Sequence, residues 1–445
     1  MHLWDKGGTT RDALISFTCD SDRSYDDRLA PYDIVGSMAH AVMLEKCGII
    51  NAEERTLLLK GLSALFTEAE NGQLKIGYEY EDIHSYIEFR LFDLVGEAAG
   101  SLHTGRSRND QVLTDIHLWV RYHSVLLAAG LKKLSEIILD LSEKHESALM
   151  PGLTHMQPAM ISSFGLWFAA YAESLCDDMQ ALSNAVSFVN ASPLGTAAGY
   201  GTTLSIDREF TASLLHFERL IVTSPYAQMS RGRMERMISG AIASAANTLG
   251  RFASDVVLFM SPGYKFVTLS DDMTTGSSIM PHKKNPDLFE LIRARCNRLQ
   301  SMPNAVLVMT TGLPPGYNRD YQELKAILFD AFDEIMELVT VMQSAVTGLV
   351  INSDIMKDGR YNDIFSVEEA NRMVLEGIPF REAYREVAKK AGSGLFEVTT
   401  PADYSHTGSI GNTGSGLIRR RIVDVMGGFT RGCSPEELFN SIKTV

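Results

Sequence analysis

An all-α fold is predicted for this chain of 445 residues from three observations. Apolar residues recur at helical spacing along most of its length. The stretch Val112–Leu149 runs without proline and with a single glycine. Strand signals are short and weak. At 1.5 Å per residue that stretch makes a helix on the order of 55 Å long, which suits a bundle better than a small globular domain.

Taken in order, Ile34–Cys47 and Ala52–Asn71 read as two amphipathic helices, with Gly48 stopping the first. Glu81–Gly96 is a third, after which the polar string Leu102–Gln111 breaks the apolar pattern. The long helix follows and ends at Pro151-Gly152. Further helices are predicted at Ser163–Asn190, Met234–Met260, Pro286–Met302 and Tyr321–Val350, with Gly- and Pro-rich joints at Ser192–Thr203 and Leu313–Gly316. The chain is thereby divided into an N-terminal helical domain (1–110), a central long-helix bundle (111–350) and a C-terminal helical domain (351–445). Several helices are apolar over more than one stripe, as in Ser162–Leu175. That pattern predicts a homo-oligomer, with a large monomeric core as the alternative.

Composition narrows the function. The hydrophobic share of 45% and charged share of 22% are those of a globular chain. Lys and Arg number 41 against 55 Asp and Glu, a formal charge of −14, so neither nucleic acid nor an anionic membrane is an expected partner. A small anionic substrate needs only a local basic pocket. No apolar run approaches membrane-spanning length and the first residues carry no signal-like core, so a cytoplasmic protein is expected. The five cysteines are scattered without CxxC spacing and read as free thiols. The histidines form no HxxxH pair with a third ligand nearby, and no metal is expected.

The most informative stretch is Thr274–Asp287, TTGSSIMPHKKNPD, which precedes a run of helix formers. Asn285 is the predicted N-cap and Pro286 the first helical residue. Ser277, Ser278, Lys283 and Lys284 then lie on a loop at a helix N-terminus, where free N–H groups favour anions. Composition alone fits a solvated turn equally well. Three other segments share this polar, punctuated character. His103–Gln111 offers two arginines, a serine and an asparagine suited to carboxylate recognition, or a plain helix start capped by Asn109 or Asp110. Pro151–Pro158 holds a histidine on a constrained loop, and Leu313–Lys325 leads polar side chains into a helix.

The signature loop resembles that of the fumarase/aspartase superfamily, Gly-Ser-Ser-x-Met-Pro-x-Lys-x-Asn, with Gly276, Ser277, Ser278, Met280, Pro281, Lys283 and Asn285 at its fixed positions. Within that superfamily the string His103–Gln111 is similar to the argininosuccinate lyase family. Asp33–His40, Asp82–Ser85, Thr154–Gln157, Asp207–Phe210, Tyr317–Asp320 with Gln322, and Gly377–Arg381 support the match. The resemblance runs from about Leu3 to Arg385.

The resemblance implies a cofactor-free anti elimination of argininosuccinate to arginine and fumarate, in a homotetramer whose sites draw on three chains. Ser277 matches the base, and Lys283 and Asn285 the groups holding the carboxylate where charge develops. His155 matches an acid-side residue paired with Glu290, with Thr154 and Gln157 beside it. Ser107, Arg108, Asn109 and Arg231 match substrate-binding positions. Tyr317, Gln322 and Lys325 match those gripping the arginine portion, and Asp26 a position at its guanidino end. The chain departs from the family pattern at Ser224–Gly232, where two acidic positions are lost. It departs also at Asp22 (often Ser), Tyr384 (usually His) and His282 (usually Gln). A sibling lyase acting on another N-substituted aspartate is the nearest alternative, and a non-catalytic structural relative the more distant one.

Overall fold

A computed structural model describes residues 14, 16–391, 396, 404–429 and 432–445. The short α1 (Ser21–Asp26) leads into α2 (Ala30–Lys46), which is buried on nearly every side. α3 (Ala52–Glu70) opens with a capping box, Asn51 accepting from two N–H groups while Glu54 returns a bond to Asn51 N. α4 (Ile83–Val95) is capped by Asp82, which accepts from Ser85 N at 2.8 Å.

The long helix α5 is Arg108–Lys144. Its start differs from the predicted Val112. Ser107, in extended conformation, is the cap, and Asp110 reaches back to Ser107 N at 2.9 Å. Asn109 and Asp110 therefore lie inside the helix. The C-terminal end also differs. Leu149–Thr154 (β1) pairs antiparallel with Gln157–Ser163 (β2), so Pro151 and Gly152 sit within a strand, beyond the helix end. The two-residue turn is made by His155 and Met156 at φ 53° and 61°. That left-handed conformation gives the twist a tight hairpin needs, although neither residue type is a usual signal for it.

β2 runs into α6 (Phe164–Val189), capped by Ser163. A parallel ribbon of β3 (Ala191–Ser192) and β4 (Arg219–Leu220) flanks α7 (Arg208–Leu214). The short α8 (Ser224–Met229) precedes α9 (Arg233–Met260). β5 (Val267–Leu269) pairs antiparallel with β6 (Leu349–Ile351). α10 (Asp287–Leu299) begins one residue later than predicted. Asn285 exchanges backbone hydrogen bonds with Thr275 at 2.9 and 3.4 Å, so it stays in a bridge, and Pro286 takes the cap position. There follow α11 (Met302–Met309), α12 (Leu324–Thr347), α13 (Ser366–Leu375), α14 (Phe380–Lys390), α15 (Ser415–Met426) and α16 (Pro435–Lys443).

The fold is all-α, its strands confined, among the described residues, to three two-stranded ribbons. α5, α6, α9 and α12 form a closed ring of packed neighbours, the bundle predicted for the central region. Trp119 of α5 stacks on Phe329 of α12 at 4.0 Å, and Trp167 of α6 on Phe252 of α9 at 5.1 Å. One apolar core runs from Leu29 to Ile442, because α16 returns to pack on α2 and Phe439 stacks on Phe66 at 4.3 Å. α13 and α14 share a small core of their own around Ala370, Ala383 and Val387. No helix among the described residues is long and apolar enough to cross a membrane.

Candidate active site

One cleft, of about 210 Å³, opens where the first turns of α5 and α12 meet α1 and the residues before α4. Lys325 lies in the first turn of α12, nearly buried, and its Nζ donates to Asp22 at 2.7 Å and to Asp26. Burial works to lower the lysine's pKa, but Asp26 and Asp22 outweigh it and hold the ammonium charged. Burial pushes the Asp22 carboxyl up to about 6, with Asp26 adding to the rise and Lys325 opposing it.

The second wall is also wired by ion pairs. Arg108 donates to Asp82 at 2.7 Å and lies 3.5 Å from Glu81, which also meets Arg319 at 3.1 Å. Gln322 donates to Thr18 O at 2.9 Å, and Arg319 to the Gln322 side chain at 3.2 Å. Arg231 donates to Tyr321 O at 2.9 Å and packs over that ring, with Glu235 3.7 Å away. Tyr317 and Asn109 complete the lining.

Beneath this wall lies a buried charged group. His84 faces Asp33 at 3.1 Å and Asp115 at 3.7 Å. Burial disfavours its charge, yet Asp33, Asp82 and Asp115 raise its pKa to about 9, so the imidazole is held as a cation. Asp33 is lowered despite burial, chiefly by His84, while Asp115 is raised by burial and by Asp33. These three residues could in principle hold a metal ion. The imidazolium and the nearby Arg106 already supply the positive charge that the two carboxylates require.

The structure thus gathers Asp26, Arg108, Asn109, Arg231, Tyr317, Gln322 and Lys325 into one cleft. Ser107 caps α5 beside it, its hydroxyl accepting from Asn109 N. Asp26, expected at the guanidino end, lines the cleft and also contacts Lys325 directly. The remaining predicted residues do not line the cleft within one chain. Thr154, His155 and Gln157 stand exposed at the β1–β2 turn, where Tyr264 Oη donates to Met156 O at 2.9 Å. Lys283 and Glu290 are exposed, and Ser277 and Asn285 half-buried, on and beside the loop closed by the Thr275–Asn285 bridge. Ser277 Oγ accepts from Met280 N at 3.2 Å and from Ile279 N at 3.4 Å. Among the described residues no hydrogen bond joins His155 to Glu290 within the chain. The divergent Ser224–Gly232 segment forms α8, from which Gln228 donates to Asn109 O at 3.2 Å.

Glu81, Asp82, His84 and Arg319 line the cleft without having been assigned to the site from sequence. Arg319 was visible in the polar run before α12, and His84 in the Asp82–Ser85 string; nothing in the local sequence marked Glu81.

Comparison with known proteins places the chain among lyases. A family described as "Lyase" matches residues 8–301. The solved structure of EDDS lyase in complex with formate aligns with a TM-score of 0.74 over 99% of this chain and 94% of that one, at 22% identity. Class II fumarase from Schistosoma mansoni aligns at 0.71 over 90% and 96%, at 16% identity. The argininosuccinate lyase of Phocaeicola vulgatus is 44% identical over 427 residues, covering 96% of each chain. The chain belongs to the argininosuccinate lyase family, and is a carbon–nitrogen lyase.

Proposed function

We propose that the protein cleaves argininosuccinate to arginine and fumarate, without a cofactor, as a cytoplasmic homotetramer. The observation that carries this reading is the mixed charge of the cleft. Arg108, Arg231, Arg319 and Lys325 alternate there with Asp22, Asp26, Glu81 and Asp82. A site for a simple dicarboxylate needs cations alone, and four carboxylates would oppose it. Argininosuccinate carries several carboxylates together with an ammonium and a guanidinium, so it can use both signs.

In this reading Ser277 Oγ takes the proton beside a substrate carboxylate, and the electron pair is held as an aci-carboxylate dianion. Lys283, Asn285 and the N-terminal end of α10 stabilise that charge. The pair then forms the C–C double bond as the C–N bond breaks, and the departing guanidino nitrogen takes a proton from the His155 side, with Glu290 supporting it. A serine alkoxide needs donors, and the Met280 and Ile279 N–H groups that Ser277 Oγ meets supply them. Thr154 and Gln157 would bind substrate beside His155, and Ser107 would hold Arg108 and Asn109 in place.

The positions of Ser277 and His155 outside the cleft of one chain, the first half-buried on its loop and the second exposed at its turn, agree with sites completed by neighbouring subunits. So do the exposed apolar side chains Met229 and Leu307, which line a second pocket that shares Arg231 with the cleft. The division into 1–110, 111–350 and 351–445 belongs to the same proposal. The test is fumarate absorbance on adding argininosuccinate, with adenylosuccinate and aspartate in parallel. Fumarate from argininosuccinate alone supports the reading. Fumarate from a control alone keeps the chemistry and overturns the substrate, and silence in all three from a folded oligomer overturns the activity.

A further inference from the structure

The cleft's ions do not balance one to one. Arg108 neutralises Asp82 and Arg319 neutralises Glu81, while Arg231 lies against Glu235 and His84 against Asp33 and Asp115, carboxylates outside the cleft lining. Lys325 faces two carboxylates at once. Asp26 is the deeper partner, its side chain 2% exposed against 13% for Asp22. The Asp26–Lys325 pair is neutral by itself, so Asp22 adds a negative charge to a largely desolvated wall. Such a charge is unfavourable unless something pairs with it. Its consequence is visible in the carboxyl, which burial pushes up to about 6.

We propose that Asp22 is a specificity residue that receives the α-ammonium of the substrate's arginine portion, while Lys325 and Gln322 take the adjoining α-carboxylate. This rests on the function proposed above and deepens it. An α-amino acid head carries both charges on one carbon, and Asp22 and Lys325 present both complements 2.7 Å apart. A serine at this position, as in many family members, could donate or accept a hydrogen bond but would add no charge. The protein is therefore built to require the free amino group and to reject an arginine portion whose amino group is missing or blocked.

The experiment compares inhibition of the intact enzyme by arginine and by 5-guanidinopentanoate, which differs only in lacking the α-amino group. Wild type, Asp22→Ser and Asp22→Asn are each measured between pH 5.5 and 8. Wild type is expected to hold arginine at least about tenfold more tightly, and both variants to lose most of that preference. Arginine inhibition of wild type should weaken as pH falls through about 6, where Asp22 is protonated against the surrounding Asp26, Asp82 and Lys325; in Asp22→Asn that weakening should vanish. Equal inhibition by both compounds in wild type, or an unchanged preference in both variants, overturns the proposal. Binding calorimetry with the same two compounds reads the preference even if argininosuccinate is not turned over, so failure of the activity and failure of this inference are told apart.

Discussion

At the scale of single residues, the charged groups around the cleft do separable jobs. Ser277→Ala is expected to reduce turnover by a factor of a thousand or more, on the order typical for loss of a catalytic group, while leaving assembly intact. Near wild-type turnover in that variant would remove Ser277 as the base. His155→Asn isolates chemistry from shape, because asparagine tolerates the positive φ that the turn imposes there. It should fold normally and be badly impaired in kcat; unimpaired turnover would make His155 structural. His84 makes a pH-dependent contribution of known sign. Its pKa is raised from 6.5 to about 9, so its pairing stabilises the fold fully below 6.5 and is lost as pH rises through 9. Urea midpoints of wild type should fall between about pH 7 and 9, and His84→Gln, less stable by about 3 kcal/mol at neutral pH, should show a flatter profile. The polar segments that hold these residues were legible as sequence. Their wiring was not: Lys325 meets Asp22 and Asp26 across some three hundred residues, and no local pattern encodes a partner that distant.

At the scale of elements, the helix interiors could be read from periodicity and the ends of α3, α6 and α9 fell within one residue of expectation, but the ends of α5 did not. The start of α5 lies earlier than expected because one carboxylate accepts from three backbone N–H groups at once. Asp110 accepts from Ser107 N, and also from Gly195 N at 2.9 Å and Ala197 N at 2.8 Å in the joint before α7. One side chain thus fixes the helix start and the crossing loop together, and with them the placement of Arg108 and Asn109. Asp110→Asn would turn an amide donor toward these donors. It is expected to lower stability by about 2 kcal/mol and to raise KM for argininosuccinate more than it lowers kcat. A fall confined to kcat would mean that the joint does not position the binding residues. The β1–β2 hairpin was misread for a related reason. Pro151-Gly152 signals a stop wherever it falls, and the residues that turn the chain, His155 and Met156, are poor turn formers held there by strand pairing on either side.

At the scale of the whole molecule, the four-helix ring could be anticipated from helix length, while the broad apolar stripe of Ser162–Leu175 is packed within the chain, Trp167 on Phe252. If neighbouring chains complete each site, inactive Ser277→Ala and His155→Asn proteins, dissociated and reassembled together, should recover a measurable fraction of wild-type activity. A mixture as inactive as its parents would place every catalytic group within one chain. The return of α16 onto α2 has a different kind of consequence, in time. A ribosome makes α2 first and reaches α16 roughly half a minute later at ordinary rates of elongation. Throughout that interval the first large helix lacks part of its covering. The cleft wall it supports therefore takes its final form only after α16 has been made, and until then a stretch of apolar surface stands open to any chaperone, or any other nascent chain, that meets it.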